Sequence, residues 1–280
     1  MKRLFTFGCS HTNHGYPTWA NLLAEEFDEL YNFGQGGTGP LFSFFQISSL
    51  INNRHKWNLS MKDDLIVWLI PEENRHDVLV DRDEGHYYTT NTIHNDCEEW
   101  YTEKYKREFS AVDGLVKTTL YVESVVRLLQ NHNLNFKIIP ALEGLDFNPK
   151  IHYNEYSRNL KKIIGESTPL QTIAKDWTDN PHYHFFFEGK LEQDGHWSIP
   201  IHQEFCKRNF DFYKETNIDG YLDLHRKYIT KTHERDERWA SKYHYAYLVN
   251  DVVSKPDIHY IKEKGVNFYG KKSQNNLFLL

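Results

Sequence analysis

Three short segments of the chain carry side chains that together could perform acyl transfer. Ser10 lies in the first segment, and Asp194 and His196 lie in the last. A histidine accepts a hydroxyl proton near neutral pH, and a carboxylate can hold that imidazole in the correct tautomer. The middle segment, Asn32 to Gly37, is rich in glycine, so its backbone N–H groups can approach a developing oxyanion closely.

These segments can meet only if the elements before them belong to one sheet. Short apolar stretches predict strands over Arg3 to Phe7, Glu29 to Phe33, Leu65 to Ile70 and Asn135 to Ala141. Helices are predicted between them, so the fold class is α/β, a three-layer α/β/α arrangement with a mostly parallel, flavodoxin-like sheet. In such a sheet the carboxyl ends of neighbouring strands line one crevice. We therefore expect the three segments to converge there.

Apolar residues at helical spacing predict helices over Thr18 to Phe27, Pro40 to about Asn53, Val112 to Asn131, Asn148 to Ile164 and Pro200 to Tyr213. Tyr183 to Glu188 is interpreted as a short last strand. These elements predict a domain over residues 1–216, with an insertion at about 72–110 that could act as a lid. Residues 217–280 form an aromatic-rich C-terminal appendage.

The composition excludes several classes of function. A net charge of -6 gives no field that would attract nucleic acid, and no apolar run is long enough for a membrane span. The chain has 3 widely spaced cysteines, which favours a reducing compartment over a disulfide framework. The first apolar stretch is too short for a signal peptide, so we expect a cytoplasmic protein or one released without such a peptide. The oligomeric state is left open.

The three segments resemble the motifs of the SGNH (GDSL-type) hydrolases. Gly8-Cys9-Ser10 is similar to the family's Gly-Asp-Ser-like motif, and Asn32 to Gly37 is similar to its Asn-x-Gly-x-x-Gly turn. Asp194 and His196 resemble the family's closing Asp–His pair. The resemblance implies that Ser10 is the nucleophile, His196 the general base and Asp194 the partner that orients the base.

The resemblance also implies an oxyanion hole formed by the N–H groups of Ser10 and Gly37, with Asn74 as the candidate third donor. The chain departs from the family pattern at three positions. Cys9 replaces the usual Asp, the glycine of the family's Gly-x-Asn is missing before Asn74, and only Gly195 separates the Asp from the His. The last spacing, Asp-x-His-Trp, is similar to that of SGNH-like alginate O-acetyltransferase proteins.

The resemblance implies a serine ester hydrolase that works through an acyl-serine intermediate. We expect no cofactor and no required metal. The expected substrate is a small acyl ester, such as acetyl on a carbohydrate. Two alternatives remain open at this stage. One is an O-acyltransferase to a sugar hydroxyl, and the other is a non-catalytic SGNH-like binding or assembly module.

Several residues also have plainer interpretations. Ser10 could cap the following helix, and the Cys9 thiol could be a small buried group instead of a nucleophile. His202 is a rival base to His196, although we expect it to face another direction. His11 and Trp197 are expected to line the substrate pocket. Metal-ligand spacing occurs in His11-x-x-His14 and His182-x-His184, but no carboxylate accompanies either pair.

The tyrosines and tryptophans of the predicted insertion have two interpretations, which the sequence leaves open. They could stack on sugars or cover acyl groups, or they could fill an ordinary core in a chain with few methionines. They are Tyr87, Tyr88, Trp100, Tyr101 and Tyr105.

Overall fold

The computed structural model of the protein describes residues 2–14, 17–34, 37–72, 75–82, 85–92, 111–142, 154–177, 182–187, 190–222, 258–261 and 265–266. The strands are β1 Arg3–Phe7, β2 Glu29–Asn32, β3 Asp64–Ile70, β4 Arg75–Arg82, β5 Gly85–Thr92, β6 Asn135–Pro140, β7 His182–Phe187, β8 Lys190–Trp197, β9 Ile258–Ile261 and β10 Gly265–Val266. The helices are α1 Trp19–Leu23, α2 Pro40–Asn52, α3 Arg54–Trp57, α4 Ala111–Asn131, α5 Asn154–Ile164, α6 Leu170–Asp176 and α7 Ile199–Asn209.

The central sheet has the strand order β10-β9-β2-β1-β3-β6. Strands β2, β1, β3 and β6 are parallel, which confirms the predicted α/β class. β1 lies between β2 and β3, with Thr6 level with Asn32 on one side and with Val67 on the other. The loops that leave β1 and β2 therefore emerge side by side at the carboxyl edge of the sheet.

Helices cover both faces of this sheet, which makes three layers. Leu4 of β1 faces one buried cluster, and the next residue, Phe5, faces the other, because side chains alternate along a strand. The first cluster takes residues from α1, α6 and α7, among them Trp19, Leu170 and Phe205. The second takes residues from α2, α4 and α5, among them Leu50, Val122 and Leu160. Burial on both faces explains the continuous apolar run of β3.

Tyr183 to Glu188 is confirmed as a strand over most of its length, but its expected place in the parallel sheet is wrong. Residues Tyr183 to Glu188 overlap β7, but β7 pairs antiparallel with β8 in a separate two-stranded sheet. A parallel neighbour would need a long crossover connection, whereas the link between β7 and β8 is short enough for a hairpin. Asp194 and His196 consequently belong to strand β8.

Other boundaries differ in smaller ways. α1 ends at Leu23 and continues as a 3-10 turn, Ala24–Glu26, instead of running to Phe27. α7 ends at Asn209 and not at Tyr213. The start of the helix expected from Asn148 lies outside the described residues, which show α5 from Asn154.

The expected insertion contains a β-hairpin that is anchored to the start of α2. β4 and β5 pair antiparallel, and the Asp77 carboxylate of β4 accepts N–H bonds from Gly39 (2.7 Å) and Phe42 (2.7 Å). Burial raises the pKa of Asp77 to about 7, while these N–H donors and the charge of Arg75 act in the opposite direction. The sequence showed no periodicity here and did not reveal this anchor.

The appendage predicted after residue 216 supplies a strand to the sheet. β9 pairs antiparallel with β2, and Leu30 lies level with Tyr260. Among the residues that the structure describes, no helix is long and apolar enough to cross a membrane. The domain boundaries themselves stay predictions.

Candidate active site

Ser10 lies on a tight turn at the carboxyl end of β1. The Cys9 carbonyl accepts N–H bonds from Thr12 (2.9 Å) and Asn13 (3.2 Å), which closes the turn around Ser10. Gly8 starts the turn with φ +146°, and a Cβ there would lie 2.4 Å from the Thr12 hydroxyl oxygen. Only glycine fits this conformation without strain. Ser10 itself is buried, with 7% of its surface exposed.

Ser10 does not cap a helix. The first helix after β1 starts at Trp19, and its N-cap residue is Thr18. The Thr18 backbone N–H donates to the Asn21 side chain (2.9 Å), and the Thr18 hydroxyl donates to the Thr12 carbonyl (2.6 Å). The capping interpretation of Ser10 is therefore wrong, and Ser10 is held by its own turn.

Hydrogen bonds join the loops after β1 and β2. The Asn32 amide donates to the Thr12 carbonyl (3.0 Å), and its oxygen accepts the Gly34 N–H (3.0 Å). The Asn13 amide donates to the Gly34 carbonyl (2.9 Å). A Cβ at Gly34 would lie 2.7 Å from Thr12 Cβ, so this close approach requires glycine.

The predicted oxyanion residue Gly37 lies on the second loop. Its φ of +78° is left-handed, and the next residue, Thr38, donates its hydroxyl to the Gly8 carbonyl (3.3 Å). Gly37 therefore belongs to a loop that is bonded to the Ser10 turn. Asn74, the third predicted oxyanion donor, lies outside the described residues.

The structure brings His196 to the same turn. His196 is at the end of β8, and its ring centroid lies 5.0 Å from the ring of His11, the residue after Ser10. The His14 ring is closer, at 3.9 Å from the ring of His196. Trp197 stacks on His11 with centroids 4.4 Å apart. The turn after β1 and the end of β8 thus converge at the carboxyl edge of the sheet.

The backbone of Asp194 lies in β8, two residues before His196, but its side chain lies outside what the structure describes. Its role as the orienting partner of His196 therefore stays a prediction. The two expected pocket residues, His11 and Trp197, are both buried beside His196. Tyr87 and Tyr88 of the expected aromatic surface lie in β5, and their side chains are outside the described residues.

Burial keeps two histidines of this cluster neutral. Desolvation, and then the charges of His196 and Arg75, hold the pKa of His11 well below its usual value. Desolvation also lowers the pKa of His202 to about 3, with a further lowering by His196 and an opposing hydrogen bond to the Trp197 backbone. His202 is thus near enough for the charge of His196 to lower its pKa, and with that low pKa it is too weak a base to accept a proton near neutral pH.

Cys9 is a buried free cysteine directly before Ser10. In the part of the chain that the structure describes, no group of three or more His, Cys, Asp or Glu side chains could hold a metal ion. The imidazoles of the cluster instead contact one another through their rings. The backbone N–H groups of the turn can donate hydrogen bonds to an anion, and an imidazole can accept or donate a proton.

His14 is the residue of this cluster to which the sequence assigned no role in acyl transfer. Its spacing from His11 drew attention only as a metal-ligand pattern. The contact of His14 with His196 joins two elements that are far apart in the sequence. The Cys9 carbonyl closes the turn before His14, and β8 carries His196. The sequence shows a histidine four residues after the candidate nucleophile, but no local pattern indicates which residue this histidine contacts.

No protein-family model matches this chain, and no curated protein matches it either. Among solved structures 7 chains match. One is the crystal structure of protein YxiM from Bacillus subtilis, with 11% sequence identity and a TM-score of 0.37. That match covers 82% of this chain and 56% of the YxiM chain.

Proposed function

We propose that this protein is a serine ester hydrolase with Ser10 as nucleophile and His196 as general base. The observation that supports this most is the convergence of the Ser10 turn with the end of β8, where the His11 and His196 rings are 5.0 Å apart. Both segments lie at the carboxyl edge of a parallel sheet, where α/β proteins bind their ligands. The resemblance of the three segments to SGNH hydrolase motifs supports the same proposal.

In the proposed reaction, the Ser10 hydroxyl oxygen attacks the ester carbonyl carbon while His196 accepts the hydroxyl proton. The N–H groups of Ser10 and Gly37 stabilise the oxyanion, each by about 3 kcal/mol in the transition state. The C–O bond to the leaving alcohol then breaks, and His196 returns the proton to that alcohol. Water then attacks the acyl carbon while His196 accepts its proton. The bond between that carbon and the Ser10 hydroxyl oxygen breaks, and His196 returns the proton to this oxygen as the free acid leaves.

The proposed substrate is a small acyl ester, such as acetyl on a carbohydrate. Two observations favour a confined acyl site: Ser10 is 7% exposed, and His11 beside it is also buried. Arg75, the first residue of β4, lies near enough for its charge to act on His11. The insertion therefore borders the site, where it could contact the alcohol part of an ester.

The test is hydrolysis of 4-nitrophenyl acetate by the parent and by Ser10→Ala. We expect kcat/KM to fall by about 10³-fold or more, because the nucleophile is lost. Ser124→Ala is the matched control, since Ser124 lies on an exposed part of α4 and donates its hydroxyl to the Leu120 carbonyl of the same helix. A fluorophosphonate should label the peptide that contains Ser10, and mass spectrometry would locate the modification.

A Cys9→Ala variant shows whether the Cys9 thiol or the Ser10 hydroxyl reacts with the probe. We expect this variant to keep the fluorophosphonate label on Ser10. Full esterase activity in Ser10→Ala, or no labelling of the folded parent, would overturn the assignment and favour a non-catalytic module. Rates with acetyl, butyryl and octanoyl esters test the acyl size, with acetyl expected to be fastest. Acetylated oligosaccharide as the main product, when an acceptor sugar is added, would instead indicate a transferase.

A further inference from the structure

The turn that carries Ser10 also supplies an aromatic ring to the proposed base. His14 follows the hydrogen bonds that close this turn, and its ring centroid lies 3.9 Å from that of His196, with the planes tilted by 37°. His14 is half-buried. On the same turn, the buried His11 ring lies 5.0 Å from His196 and stacks on Trp197.

The distance between the His14 and His196 rings decides what kind of contact this is. Two imidazoles that hydrogen-bond through their ring nitrogens have centroids about 5 Å apart, because the N···N distance adds to both ring radii. At 3.9 Å, with the planes tilted by 37°, the rings are closer than that in-plane arrangement allows and overlap partly through their faces. His14 therefore restricts the rotation of the His196 ring.

We propose that His14 is a positioning residue that holds the His196 imidazole toward Ser10 through the contact between the two rings. This inference rests on the proposed esterase function. The base must keep its orientation through both proton transfers, and small errors in that orientation are costly in rate.

The contact between the His14 and His196 rings joins the segment that carries the proposed nucleophile to the proposed base. Ser10 lies within the turn that the Cys9 carbonyl closes, and His14 directly follows the last N–H donor of that turn, Asn13. The spacing between Asp194 and His196 is shorter than in the family it resembles, which leaves more of the orientation to other contacts. His14 provides such a contact from a different element.

Three substitutions at His14 separate shape from charge. His14→Ala removes the ring, and we expect kcat to fall about tenfold with KM within about twofold. His14→Phe supplies a flat ring of similar shape and should restore most of the lost kcat. His14→Lys places a permanent positive charge beside the forming imidazolium, so kcat should fall about a hundredfold. His55→Ala on the exposed side of α3 is the control and should leave both constants unchanged.

The pH profile is the readout that a purely structural role would not move. A fixed positive charge in His14→Lys disfavours protonation of the base, so the acidic limb of kcat/KM should shift to lower pH. His14→Phe should keep that limb near its parental position. The other titratable or charged groups known to act on this cluster are His11, His202 and Arg75, which stay the same in every variant.

Parental kcat in His14→Ala, or equal losses in the Phe and Lys variants with no shift of the acidic limb, would overturn the role of His14. Melting curves show whether each variant is folded, and if His14→Ala fails to fold, the comparison of Phe with Lys decides. Ser10→Ala tests the other premise separately. If Ser10→Ala keeps full activity, the esterase function itself fails, whereas an inactive Ser10→Ala with unaffected His14 variants refutes only this inference.

Discussion

The buried histidine of α7 should make the stability of this protein depend on pH in a way that one substitution can remove. His202 is 1% exposed, and burial lowers its pKa to about 3 from a usual 6.5. In the unfolded chain the same imidazole is solvated and binds a proton near pH 6.5. Between about pH 3 and 6.5 the unfolded state therefore binds more protons than the folded state, and stability falls as the pH is lowered through this window.

The size of this effect follows from the two pKa values. At pH 7 the unfolded imidazole is mostly neutral, so His202 contributes almost no pH-dependent loss. At pH 5 it lies about 1.5 units below the unfolded pKa, and at about 1.4 kcal/mol per unit the loss of folding free energy is about 2 kcal/mol. His202→Gln cannot be protonated in this range, and its amide can still donate to the Trp197 carbonyl.

The assay is urea unfolding of the parent and His202→Gln at pH 7 and pH 5, followed by circular dichroism. We expect the loss of unfolding free energy between these pH values to be about 2 kcal/mol smaller in the variant. His132→Gln, in the turn after α4, controls for removing a histidine from the chain. Parallel pH dependences in the parent and His202→Gln would refute the reasoning, because they would mean that His202 is protonated equally in both states.

Three further predictions concern the elements that support the site. Gly8→Ala should destabilise the fold by about 3 kcal/mol, because φ is +146° and the new Cβ would lie 2.4 Å from the Thr12 hydroxyl, as urea unfolding would measure. Asp64→Ala should cost about 3 kcal/mol by the same assay, because it removes the buried partner of Arg3, whose Nε lies 2.8 Å from the carboxylate. Asp77→Ala should cost about 1–2 kcal/mol, because two backbone N–H groups at the start of α2 lose their acceptor, and hydrogen exchange should increase there.

Each of these predictions has a control. Asp113→Ala removes an exposed carboxylate that pairs with Lys117 on α4, and it should cost no more than about 0.5 kcal/mol. Gly195→Ala tests glycine loss alone, because a Cβ there has no atom within 4 Å. If Gly8→Ala were as mild as Gly195→Ala, the steric account of the Ser10 turn would be wrong. Losses at Asp64 or Asp77 no larger than at Asp113 would likewise contradict the buried-contact arguments.

The parallel sheet was predictable because its signals are local. β3 is a continuous apolar run, and β1 is a short apolar stretch that ends at Gly8, so the residues themselves mark where strands stop. Asn32 and its glycines likewise mark a turn. The sequence did not predict the pairing of β7 with β8, because side chains alternate in the same way along parallel and antiparallel strands. Which strand becomes the partner depends on how the connecting chain runs.

The order of the residues is enough to indicate which segments follow strands and which of them carry a hydroxyl, an imidazole or glycines. Tertiary structure alone decided which imidazoles meet: the contact of His14 with His196 joins β8 to the turn after β1. It also decided that His202 is neutral, because the charge state depends on burial and on neighbouring charges. The local pattern of residues specifies local conformation. The distances between remote side chains, and their burial away from water, are set only when the layers of the fold pack together.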